Sequence, residues 1–90
     1  MTRMDLLKYK VAFEDHFKEN SEIELIYNQR NDQVLRGIIF VRGHLRKVVF
    51  HLYETGDFVV KRPNGKITAY YNKTTKQLIA YLDSIIKNVK

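Results

Sequence analysis

Residues 34–53 read VLRGIIFVRGHLRKVVFHLY, and this stretch decides the fold. Two runs rich in β-branched and aromatic residues, Val34–Arg42 and Leu45–Tyr53, flank Gly43–His44. That link is short enough for a two-residue hairpin. Downstream, Phe58–Arg62 follows Thr55–Gly56, and Lys66–Asn72 follows Pro63–Asn64–Gly65. Proline supplies a fixed φ there, and Asn-Gly tolerates positive φ. Upstream, Glu22–Asn28 alternates, with Ile23, Leu25 and Tyr27 on one side. Short links between five strand-like runs make sequence neighbours pair antiparallel.

Helical periodicity brackets the strands. Over residues 3–19, Leu6, Phe13 and Phe17 form a stripe with Tyr9 and Val11 at its margins. Thr2 is the expected cap, Asp5 suits the positive helix end, and Asn20 and Ser21 are the expected terminators. Over residues 75–89 the stripe is Leu78, Leu82, Ile85, Ile86 and Val89, and Thr74 and Gln77 have capping-box spacing. The reading is an α+β fold: an N-terminal helix, a five-stranded antiparallel meander and a C-terminal helix, with both helices on one face of the sheet. No internal repeat or Pro/Gly/Ser linker divides it, so residues 1–90 read as a single domain.

Composition narrows the class. Ninety residues with 44% hydrophobic content make one modest core, and dimerisation would help so small a domain bury more surface. There is no cysteine, which favours a reducing compartment. Charged residues through Met1–Phe17 leave no apolar signal region, and Ile38–Val41, the longest apolar run, is too short to span a bilayer. A cytoplasmic protein is expected. The net charge of +6 is uneven. Residues 1–32 carry five Lys/Arg against seven Asp/Glu, whereas residues 33–73 carry eight against two. Such asymmetry favours a polyanion partner over general solubility.

Strand alternation sorts these residues by face. One side collects Ile23, Leu25, Tyr27, Leu35, Ile39, Val41, Val48, Phe50, Leu52, Phe58, Val60, Ile67, Ala69 and Tyr71, the expected core. The other collects Arg36, Ile38, Phe40 and Arg42, then Lys47, Val49, His51 and Tyr53, then Val59 and Lys61, then Lys66, Thr68 and Tyr70. Cations interleaved with rings suit a single-stranded nucleic acid, whose bases stack and whose phosphates need neutralising. The same apolar side chains, Ile38, Phe40 and Val49, also suit a dimer interface.

Other chemistry finds little footing. His16, His44 and His51 are scattered, so no metal site is expected. Glu14 and Asp15 point apart on a helix, and Glu22 and Glu24 lack a cleft between them. The four glycines are isolated rather than grouped in a phosphate loop, and Ser21 and Ser84 lack a nucleophile-elbow setting. No enzyme activity and no cofactor are expected. The tip Lys61–Arg62–Pro63–Asn64–Gly65–Lys66 is basic, and Arg42 and Arg46 make a second basic tip. Alternate turns of a meander lie at the same end, so the two tips belong together.

The helix–strands–helix order is similar to that of double-stranded-RNA-binding domains. Thr74–Thr75–Lys76 offers one cation where that family has several, and the likeness carries over no site residue. The expected function is therefore a small non-enzymatic nucleic-acid-binding protein, plausibly a homodimer, with single-stranded DNA or RNA favoured. Its expected contacts are Arg36, Phe40, Arg42, Arg46, Lys47, Tyr53, Lys61, Arg62, Lys66 and Tyr70. The alternative is a protein-binding module or inhibitor that docks an acidic partner on the same face.

Overall fold

The computed structural model describes residues 5–27, 33–43 and 46–89. The elements are α1 (Leu6–Phe17), β1 (Ile23–Tyr27), β2 (Val34–Val41), β3 (Lys47–Tyr53), β4 (Asp57–Lys61), β5 (Ile67–Tyr71) and α2 (Thr75–Val89). The strands form one sheet in the order β1-β2-β3-β4-β5, every neighbouring pair antiparallel. This is the α+β meander between two helices that the periodicities predict.

Local chemistry sets the ends of both helices. Asp5 caps α1, its carboxylate accepting from the N–H groups of Leu7 at 3.1 Å and Lys8 at 3.4 Å. The expected cap, Thr2, lies outside the described residues. A carboxylate beside the orphan N–H groups and the positive end of the helix dipole is the stronger cap for the α1 that forms. At α2 the capping box closes as expected. Thr74 Oγ1 accepts from the Gln77 N–H at 3.2 Å, and Gln77 Oε1 accepts from the Thr74 N–H at 3.0 Å.

Both helices cover the same face of the sheet. Leu6, Phe13 and Phe17 of α1 and Leu78, Leu82, Ile85 and Ile86 of α2 are buried against Leu35, Ile39, Val41, Val48, Phe50, Leu52, Phe58 and Val60. At roughly 1.5–3 kcal/mol for each fully buried large apolar side chain, this one layer supplies the main drive to fold. Phe50 is its keystone: its ring meets Phe13 edge-on at 5.4 Å and lies 5.6 Å from Phe58. The ring crosses Gly37 of the neighbouring strand, where a Cβ would collide with it. Tyr27 fixes α1 to β1, donating from its hydroxyl to the Lys10 carbonyl at 3.0 Å. Burial pushes that hydroxyl well above the usual tyrosine range, and the Glu14 carboxylate adds to the shift.

One strand is reversed from expectation. β5 pairs Lys61 with Ile67, Val60 with Thr68 and Phe58 with Tyr70. Paired residues share a face, so Thr68 and Tyr70 lie on the core side, and Ile67, Ala69 and Tyr71 on the open side. Tyr70 packs on the core and stacks on Tyr81 of α2, centroids 4.1 Å apart and planes 6° off parallel. The turn decides this. The Gly65 N–H donates to the Arg62 carbonyl at 2.9 Å with Gly65 at φ +88°, and the Arg62 N–H donates to the Lys66 carbonyl at 2.8 Å. A three-residue loop with a left-handed glycine fixes Arg62 opposite Lys66, and a register fixed by one residue fixes every face beyond it. Apolar character alone, which places Ile67 and Tyr71 inside, is overridden.

Candidate nucleic-acid interface

The β2–β3 and β4–β5 connections leave the sheet at the same end, because β2 and β4 run in the same direction. That end gathers Arg42, Arg46 and Lys47 from one connection and Lys61, Arg62 and Lys66 from the next. Five of the six are exposed and Arg62 is half-buried. The described ion pairs, His16–Asp83 at 2.8 Å and Lys18–Asp15 at 3.2 Å, involve none of them. Arg62 Nε is buried without a hydrogen-bond partner among the described residues. The tip is held rigid from within: the Lys66 N–H donates to Asn64 Oδ1 at 2.9 Å, beside the two turn bonds given above. His44 and Leu45, in the other connection, lie outside the described residues.

No described helix covers the opposite face of the sheet. That face carries Arg36, Ile38 and Phe40 of β2, Lys47, Val49, His51 and Tyr53 of β3, Val59 and Lys61 of β4, and Ile67, Ala69 and Tyr71 of β5. Cross-strand pairing arranges them in rows. Glu24, Phe40 and Lys47 form the row nearest the basic end, followed by Ile26, Ile38, Val49, Lys61 and Ile67. Arg36, His51, Val59 and Ala69 make the next row. His51 and Tyr53 stack along β3 with centroids 6.3 Å apart. Burial lowers the His51 pKa from its ordinary value, and the Arg36 guanidinium across the strand lowers it further. The ring is therefore neutral at physiological pH.

Of the ten predicted contacts, six converge at the basic end. Arg36, Phe40 and Tyr53 share the open face, Arg36 and Phe40 half-buried and Tyr53 more exposed. Tyr70 is the exception, for the register reason above. In its place the open face presents Tyr71, 65% exposed, beside Ile67 at 63% and Ile26 at 43%. Reading the register through the Pro63–Gly65 loop would have identified Tyr71 and Ile67. A shallow cleft of about 390 Å³ borders the basic end, lined by Glu24, Ile26, Phe40, Val41, Arg42 and Gly43. It sets a ring beside a guanidinium. A second cleft, of about 500 Å³, lies over the His16–Asp83 pair on the helical side.

Among the described residues, no group of three or more His, Cys, Asp or Glu side chains is placed to hold a metal ion. No described helix is long and apolar enough to cross a membrane. No protein-family model matches the chain, and neither a curated protein nor a solved structure matches it.

Proposed function

We propose that this chain is a small non-enzymatic nucleic-acid-binding protein of the cytoplasm, gripping the phosphate backbone with the basic end of its sheet. One observation carries the reading. Six cations from two adjacent hairpin connections converge at one end, and none is engaged by a described ion pair. Lysines and arginines outside the described ion pairs are available to neutralise phosphates, and the release of condensed counterions drives the binding. Phe40, next to Arg42 at the cleft, and Tyr53 and Tyr71 further along offer rings to unstacked bases. Each stacked base contributes roughly 1–3 kcal/mol, which favours single strands.

Fluorescence anisotropy with single-stranded DNA, single-stranded RNA and duplex DNA tests the reading. Arg42→Ala should weaken binding to all three and lower the salt slope by about one phosphate's worth. Phe40→Ala should weaken single-strand binding by roughly 1–3 kcal/mol and leave duplex binding nearly unchanged. Absence of binding to all three at low salt overturns the proposal.

A second reading has its own observation. The row of Ile26, Ile38, Val49, Lys61 and Ile67 is aliphatic on every strand but β4, chemistry that suits a protein surface better than a phosphate backbone. An acidic protein docking on this face with the basic end at its rim is that reading.

A further inference from the structure

We infer that the cleft at the β1 edge of the basic end holds one unstacked guanine, its edge read by the Glu24 carboxylate. The inference rests on the nucleic-acid reading above and adds a base preference to it.

The cleft brings three kinds of chemistry together. Glu24 of β1 lies directly across from Phe40 of β2. Arg42 follows two residues on, on the same side of the strand. The Arg42 N–H donates to the Glu22 carbonyl at 2.7 Å, so the pairing of β1 with β2 continues to the mouth of the cleft. Phe40 is half-buried, whereas Glu24 and Arg42 are exposed. With Ile26, Val41 and Gly43 they line a space of about 390 Å³, the size of a small-ligand site.

Glu24 is the informative member. It stands in the row nearest the basic end, beside Phe40 and then Lys47. A carboxylate there opposes a polyanion and lowers affinity for any phosphate backbone. No described ion pair engages Glu24 or Arg42. Lys47 is two strands away, roughly 9–10 Å across the sheet, with Phe40 between them. A charge that weakens general binding and has no ion-pair partner among the described residues fits a role in specificity.

A carboxylate only accepts hydrogen bonds, and that selects the base. Guanine alone presents two adjacent donors on its Watson–Crick edge, the ring N–H and the amino group beside it, which match the two carboxylate oxygens. Adenine and cytosine each offer an amino group beside an unprotonated ring nitrogen, whose lone pair faces the second oxygen. Thymine and uracil offer one N–H between two carbonyls, and both carbonyls repel the carboxylate. The bidentate, charge-assisted pair with guanine is the strongest of these. Phe40 gives the base a ring to stack on, and Arg42 is left for the adjoining phosphate. Watson–Crick edges are free only in unpaired strands, so a duplex cannot make this contact.

The test is fluorescence anisotropy with short labelled oligothymidine strands that differ only at one central position. That position holds thymine, cytosine, adenine, guanine or hypoxanthine. The guanine strand should bind about tenfold or more tightly than the thymine strand. Hypoxanthine, which keeps the ring N–H and lacks the amino group, should fall between them. Glu24→Gln should erase the guanine preference and bind the thymine strand at least as tightly as wild type, because a negative charge leaves the phosphate path. The exposed position of Glu24 lets the fold survive, which circular dichroism verifies. Equal affinity for the guanine and thymine strands overturns the inference and leaves the functional proposal standing. So does a guanine preference that survives Glu24→Gln, or tightest binding to another base. Absence of binding to every strand at low salt overturns the functional proposal and this inference with it.

Discussion

Replacing Gly37 by alanine is the sharpest probe of how the sheet is assembled. Gly37 lies opposite Phe50 on the core face. A Cβ built there stands 2.9 Å from Phe50 Cε2 and closer still to Cε1 and Cζ. Carbon atoms rest about 3.5–4.0 Å apart, so the ring must move by the better part of an ångström or more. It has nowhere to go: Phe50 is fully buried and in ring contact with Phe13, Phe58 and Tyr27. The expected destabilisation is therefore at the upper end of the overpacking range, about 3 kcal/mol. A chain of this length has only ~5–13 kcal/mol to lose. Phe50→Leu alone should cost about 1–1.5 kcal/mol as a near-volume swap. With the ring's far edge gone, Gly37→Ala in that background should cost at least ~1 kcal/mol less than in wild type, a coupling expected of directly contacting residues. Urea unfolding followed by far-ultraviolet circular dichroism measures all four corners of the cycle. A Gly37→Ala midpoint equal to wild type, or additive effects in the double variant, would refute the packing argument.

Two further outcomes follow from the core and the open face. Leu82 of α2 is fully buried in the core, so Leu82→Ala should cost about 2–5 kcal/mol by thermal or urea unfolding; an unchanged midpoint would mean that α2 does not seal this face. The His51 pKa is lowered in the folded state, so the native chain binds fewer protons than the unfolded chain just below pH 6.5. Stability should fall as pH drops through that window, and His51→Asn should remove that part of the dependence without touching carboxylate titrations at lower pH. Unfolding midpoints from pH 5 to 8 check this, and identical pH profiles for the two proteins would contradict it.

Much of the fold is legible in short stretches. The Leu78–Ile86 stripe and the Thr74–Gln77 box define α2, and the alternation of residues 34–53 defines the central hairpin. Both obey local rules that tertiary packing has no reason to override. The convergence of the basic tips is legible too, because it follows from meander topology alone. The faces of β5 are not legible from hydrophobicity. Ile67 is as apolar as any core residue and Tyr71 is a large ring, yet the loop register turns both outward, and Tyr70 finds a partner in Tyr81 that no strand pattern reveals. The Asp5 cap differs from the expected Thr2 for a similar reason. Helix starts are settled by which side chain reaches the orphan N–H groups, a matter of geometry within a single turn.

The central claim is that the two basic tips form one phosphate-binding surface, and a salt titration tests it most directly. Anisotropy of a labelled single-stranded oligonucleotide, measured from low to moderate salt, gives the slope of log affinity against log salt. With roughly four to six phosphates neutralised, the slope should be about −3 to −4. Lys61→Ala and Arg42→Ala, one from each tip, should each flatten it by about one contact's worth. A slope near zero, or no binding at the lowest salt, would contradict the account.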